Sequence, residues 1–79
     1  MEKKILEIIN FAKEKKQVNG IYNMKGFPVK YSYWKSSIDN KNYINILLFI
    51  NEKEMPVAFP ENSKIKDIEF ILNYAKQLA

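Results

Sequence analysis

The sequence predicts an α+β domain of order α-β-β-β-α, with two helices packed on one face of an antiparallel sheet. Three observations carry this prediction. Apolar residues recur at helical spacing toward both ends of the chain. Between residues 29 and 59 they alternate with period two instead, and polar, turn-forming stretches separate the alternating runs. The sheet is three-stranded, or four-stranded if residues 21–28 add a strand.

The first helix is expected over residues 3–18. Ile5, Ile8, Ile9 and Ala12 form its stripe, Leu6 widens it, and Lys3, Lys4, Lys13 and Lys16 fall largely outside. Asn19-Gly20 is the expected stop, because glycine relieves a left-handed helix end. Residues 21–28 read either as a short strand or as an ordered loop, punctuated by Gly26-Phe27-Pro28. From Val29 the period is two, with Val29, Tyr31 and Tyr33 on one side and Lys30, Ser32 and Trp34 on the other. Residues 35–42 are polar and read as a loop.

Tyr43 to Ile50 is the strongest strand signal. Ile44, Ile46, Leu48 and Ile50 make one apolar face; Tyr43, Leu47 and Phe49 make the opposite face apolar as well, with Asn45 its polar member. A strand apolar on both sides belongs in the middle of its sheet. Asn51 to Glu54 reads as a tight hairpin turn, and Met55 to Phe59 as the returning strand. Pro56 cannot donate to a ladder, which places that strand at an edge, and Pro60 ends it. Asn62 or Ser63 is the expected cap of a second helix over 64–78, with Ile65, Ile68, Ile71 or Leu72, Ala75 and Leu78 buried and Phe70 and Tyr74 on a flank.

Seventy-nine residues accommodate one domain, spanning 1–79, and one core. The chain has no His, Cys, Arg or Thr, and all 13 basic residues are Lys. Lys, Asn and Ile supply 33 of the 79 residues, a bias that an AT-rich coding sequence produces and that points to a low-GC bacterium or its phage. No apolar run approaches the roughly 18 residues a membrane span needs. The amino-terminal Ile-Leu stretch is broken by Glu7 and Asn10, so it is not read as a secretory signal. A cytoplasmic location is the expectation.

Catalysis is disfavoured by what is missing. Acid–base chemistry near neutral pH most often uses His, and without a base the serines Ser32, Ser36, Ser37 and Ser63 are not nucleophiles. Zinc and copper sites want His or Cys, and Asp39-Asn40-Lys41-Asn42 lacks the ligand pattern and glycine of a calcium loop. The two glycines frame no phosphate cradle. The carboxylate pairs Glu52 with Glu54 and Asp67 with Glu69 read as solvated turn and helix-surface charges. No catalytic residue, metal, cofactor or small-molecule substrate is expected.

Binding is the remaining class. If both helices cover Ile44, Ile46, Leu48 and Ile50, then Tyr43, Leu47 and Phe49 look outward beside Trp34 or beside Tyr31 and Tyr33, depending on register. Such a patch marks a protein interface, with a second copy or a foreign target as partner, unless residues 21–28 fold over it. Trp34, Tyr43, Leu47 and Phe49 are therefore the protein-interface candidates. Tyr22, Tyr31, Tyr33, Trp34 and Tyr43 also allow stacking on single-stranded bases, without the sequence pattern that marks such sheets.

The formal net charge is +4. The order of elements and the spacing from Val29 onward resemble the double-stranded RNA-binding domain. That resemblance implies duplex contacts from the first helix, from the loop after the first strand and from the start of the last helix. The matching positions are Lys13 and Lys16, Lys35 and Lys41, and Lys64 and Lys66. The sequence departs from the family in lacking its Gly-Pro-x-His loop, and Ile65, Asp67 and Glu69 dilute the last basic cluster. Lysine neutralises phosphate, so nonspecific duplex binding is the alternative to a protein partner; base readout by bidentate Arg is not available.

Overall fold

Both helices end up on the same side of a four-stranded sheet because the chain offers one continuous set of large aliphatic side chains at the right parity. A computed structural model describes residues 1–79. Its elements are α1 (Glu2–Lys15), β1 (Asn19–Met24), β2 (Phe27–Lys35), β3 (Asn42–Ile50), β4 (Lys53–Pro60) and α2 (Ile65–Leu78). The strands form an antiparallel meander in the order β1-β2-β3-β4. The fold is α+β, and the segment left open between strand and loop is a strand: the order is α-β-β-β-β-α.

Ile5, Ile8, Ile9 and Ala12 of α1 and Ile68, Leu72 and Ala75 of α2 close over Tyr31, Ile44, Ile46, Ile50, Val57 and Phe59 of the sheet. α1 overlies β1 and β2, α2 overlies β4, and the helices pack on each other. They run antiparallel, since β1 and β4 of the meander run in opposite directions and each is joined to its helix by a short connection. Burying an aliphatic side chain of this size is worth about 1.5–3 kcal/mol, so this layer is the main source of stability.

Several boundaries differ from expectation for identifiable reasons. α1 stops at Lys15 because Lys16 takes the left-handed conformation (φ 52°) and returns its N–H to the Ala12 carbonyl. Asn19-Gly20 therefore opens β1 rather than stopping the helix. Gly26 belongs to a two-residue turn with Lys25, both at positive φ, while Phe27 and Pro28 already lie in β2. The second hairpin turn is also two residues long, Asn51 and Glu52, so Lys53 and Glu54 belong to β4. Neither Asn62 nor Ser63 caps α2. The Ser63 hydroxyl donates to the Pro60 carbonyl, and the Asp67 carboxylate accepts the Lys64 N–H (2.8 Å) at the helix start. Ile65 and Leu78, expected in the buried stripe, are exposed, which leaves Ile68, Leu72 and Ala75 as its core.

Gly20 has a packing reason to be glycine. Its cross-strand partner is Tyr31, whose ring lies over it, and a Cβ at position 20 would fall 2.3 Å from the ring and its hydroxyl. That hydroxyl is buried without a hydrogen-bond partner. Gly20→Ala should therefore cost about 1–3 kcal/mol through overpacking. Tyr31→Phe should raise stability by about 1 kcal/mol, by removing an unsatisfied group. Urea unfolding of both variants reads the two signs directly.

Glu52 sits at φ 64°, where an L side chain costs about 1 kcal/mol and glycine nothing. Glu52→Gly creates the Asn-Gly pair favoured in such turns and should raise the melting temperature by about 4–8 °C. Calorimetry checks it.

Candidate functional site: the helix-free face of the sheet

Parity decides which side chains stand opposite the helices. Across β2 and β3, Trp34 pairs with Tyr43 and Ser32 with Asn45 on the helix-free face. Across β3 and β4, Tyr43 meets Pro60, Asn45 meets Ala58, Leu47 meets Pro56 and Phe49 meets Glu54. The four interface candidates, Trp34, Tyr43, Leu47 and Phe49, thus share one face. Residues 21–28 do not cover it. They continue the sheet in its own plane, placing Ile21 opposite Lys30 and Asn23 opposite Pro28. Phe49 is 69% exposed, Ile21 58% and Trp34 38%, while Tyr43 and Leu47 are half-buried.

The aromatic end of this face is held in place. Trp34 and Tyr43 stack with ring centroids 5.2 Å apart and planes 24° from parallel. The Trp34 Nε1–H donates to Asn45 Oδ1 (2.9 Å), and the Tyr43 hydroxyl donates to the Asp39 carboxylate. Asp39 also accepts the Lys41 N–H (3.0 Å). The Tyr43 hydroxyl first, then the Lys41 N–H, hold the Asp39 carboxyl below its ordinary range, and the same bond raises the Tyr43 phenol. Two aromatics fixed at their polar tips lose little side-chain freedom on binding, which is what an interface anchor requires. Between this end and Phe49 the face forms a depression of about 690 Å³ to which all four strands contribute, with Ile21, Leu47 and Pro56 as apolar walls and Ser32 and Asn45 in the floor.

The ladder between the two hairpins is short. β2 and β3 pair only from Tyr31 with Ile46 to Lys35 with Asn42. Beyond that point Phe27–Lys30 have partners only in β1, and Leu47–Ile50 only in β4. Pro28, which would stand opposite Phe49 in this register, has no N–H to offer β3. The gap is lined by Met24, Phe27, Val29, Leu47, Leu48 and Phe49 and leads down to Ile5 and Ile8.

The lysines named above gather elsewhere. α1 ends at the end of the sheet where Tyr33 donates its N–H to the Val18 carbonyl, and β4 finishes at that same end opposite Tyr43. That end carries Lys13 of α1 and Lys16 just after it, Lys35 and Lys41 around the β2–β3 connection, and Lys64 at the start of α2, with Lys66 exposed in its first turn. Acidic groups sit among them. Glu61 accepts from Asn42 Nδ2 (3.0 Å) and from the Tyr33 hydroxyl (2.9 Å), and Asn42 first, then Tyr33, lower its carboxyl below the ordinary 4.5, with help from Lys13 and Lys16. Tyr22, Tyr31 and Tyr33 face the helices, so only Trp34 and Tyr43 of the five aromatics are available to a nucleic-acid base from the open face. Of the carboxylate pairs, Glu52 is in a turn, Glu54 is exposed on β4, Asp67 serves the start of α2 and Glu69 is exposed.

The sequence alone did not place Ile21 or Pro56 on this face, although the alternation set Lys30 with Trp34. The signal was Lys25-Gly26: taken as a two-residue turn, it fixes Ile21 opposite Lys30 by counting. No family model, no curated protein and no solved structure matches this chain.

The lowered carboxyl of Glu61 gives a pH prediction. Its contribution is complete above 4.5 and is lost as pH falls through its lower, folded value. Glu61→Gln should be less stable than wild type at neutral pH, with the difference closing under acid. Thermal melts across that range test it, and a gap that persists unchanged in acid counts against the assignment.

Proposed function

We propose that this chain is a non-catalytic interaction protein that binds another protein through the helix-free face of its sheet, as a small regulator or inhibitor encoded by a low-GC bacterium or its phage. One observation carries the reading: Trp34, Tyr43, Leu47 and Phe49 share a face that no other part of the chain covers, with the fixed Trp34–Tyr43 pair at one end and the exposed Phe49 at the other. Exposed large apolar side chains on an uncovered face are costly in water, and a partner that covers them removes that cost. Rigid aromatics at one end with smaller apolar contacts around them match the usual anatomy of an interface. The absence of His and Cys and the scattered carboxylates support a role without catalysis.

A second reading is duplex nucleic-acid binding through lysine, favoured by the gathering of Lys13, Lys16, Lys35, Lys41 and Lys64 at one end. Such binding is dominated by phosphate contacts and weakens steeply with salt, whereas apolar contacts do not.

The two readings separate in one experiment. Immobilised wild type and a Leu47→Lys/Phe49→Lys variant are exposed to extract of the native host, with and without nuclease, at low and moderate salt. The expected result is a protein retained by wild type in moderate salt after nuclease treatment and lost on the variant, with the variant's melting temperature kept. Retention by both forms, or retention that vanishes with nuclease or salt, overturns the sheet-face reading; the latter supports the lysine reading.

A further inference from the structure

The two edges of the sheet differ in a way that singles out one of them. In an antiparallel pair, hydrogen-bonded and non-bonded residue pairs alternate. The Tyr33 N–H donates to the Val18 carbonyl (3.1 Å), so the bonded pairs of the first hairpin are Gly20 with Tyr31, Tyr22 with Val29 and Met24 with Phe27. The main-chain groups of Asn19, Ile21 and Asn23 therefore point away from the sheet. At the other edge, the Glu61 N–H donates to the Asn42 carbonyl (3.1 Å), which turns the groups of Glu54, Pro56, Ala58 and Pro60 outward. Two of those four residues are proline and have no N–H. β4 is thereby blunted against further pairing, and a third outward position carries a charge. β1 has no proline, no charged residue and no bulge across Asn19–Met24.

The sequence of that edge is also close to self-complementary. Around Ile21, the order Val18-Asn19-Gly20-Ile21-Tyr22-Asn23-Met24 reads apolar, Asn, helix-side, Ile, helix-side, Asn, apolar in both directions. We infer that β1 is a pairing edge for β1 of a second copy, antiparallel about a two-fold axis at Ile21. In this register Ile21 meets its symmetry mate and Asn19 meets Asn23 of the second copy, so every outward-facing main-chain donor of Asn19, Ile21 and Asn23 finds an acceptor. The small Gly20 is set opposite the bulky Tyr22, and Val18 opposite Met24. An isologous contact of this kind closes on itself and leaves the proline-bearing β4 strands as the outer edges of the joined sheet. The helix-free faces of the two copies become one surface, with exposed Ile21 of each at its centre. The pairing uses backbone groups of the edge and does not rest on the sheet-face reading given above.

Sedimentation over a concentration series, on four full-length proteins, tests the inference. Wild type should reach twice the chain mass. Ile21→Pro removes an outward N–H and no bond within the sheet, so it should remain folded by circular dichroism and be monomeric at every concentration. Ile21→Lys keeps the backbone and sets two ammonium groups against each other across the axis, so it should be monomeric as well. Phe49→Lys, on the face and away from the edge, should still dimerise. A wild type that stays monomeric throughout, or a dimer that survives Ile21→Lys undiminished, overturns the proposal. Loss of the dimer in Phe49→Lys with its survival in Ile21→Lys assigns self-association to the sheet face instead.

Discussion

The structure depends on one constraint: the chain makes two helices, and the helices are used on the same face of the sheet. Ile44, Ile46 and Phe59 are fully buried only because α1 and α2 lie side by side above them and close the gap between themselves with their own aliphatic stripes. The core layer needs both helices at once. Nothing is left over for the side of β3 that carries Tyr43, Leu47 and Phe49, and a strand alternates its side chains whether or not there is cover for both sets. The open face follows from the alternation of β3 together with the number of helices.

This division organises the molecule into two halves of reversed order, α1 with the β1–β2 hairpin and the β3–β4 hairpin with α2. Each hairpin closes on a two-residue turn with both residues at positive φ. The halves share a short stretch of ladder, from Tyr31 with Ile46 to Lys35 with Asn42, and are otherwise joined by the helix layer. At the end where the ladder is intact, Glu61 ties Tyr33 of β2 to Asn42 of β3, so hydrogen bonds reinforce the junction there. At the other end Pro28 withholds a donor and the hairpins separate around apolar side chains.

Much of this was legible in the sequence, and the reasons differ from element to element. β3 and its partner β4 were readable because every second residue repeats one chemical type, and Pro56 announced an edge through a missing N–H. The four interface candidates share a face for the same reason, since Trp34, Tyr43, Leu47 and Phe49 are fixed by parity once the sheet is assumed. The segment 19–24 was ambiguous because its two faces are each mixed: Asn19, Ile21 and Asn23 on one side, Gly20, Tyr22 and Met24 on the other. Gly20 looked like a helix stop because the residue that needs it, Tyr31, is distant in sequence. Lys16 gave no sign of its left-handed conformation, because the helix ends there for reasons of chain direction into β1, and an ordinary side chain accepts the cost. The cap of α2 was misassigned because the carboxylate that serves it lies three residues inside the helix, at Asp67, while Ser63 turns its hydroxyl back to Pro60.

The distribution of charge follows the same geometry. Lysines from α1, from the β2–β3 connection and from α2 meet at one end because antiparallel helices on a meander bring the end of the first and the start of the second to the same end of the strands. Such a convergence is a consequence of topology and would arise for any residues placed at those positions. It is also tempered by Asp39, Glu61 and Asp67, each of which accepts hydrogen bonds from main-chain or side-chain donors at that end. The open face is different in kind. Trp34 serves the sheet by stacking on Tyr43 and donating to Asn45, whereas no such partner accounts for Phe49, which is largely exposed. The contact with another molecule proposed above would use Phe49 together with the outward surface of the Trp34–Tyr43 pair.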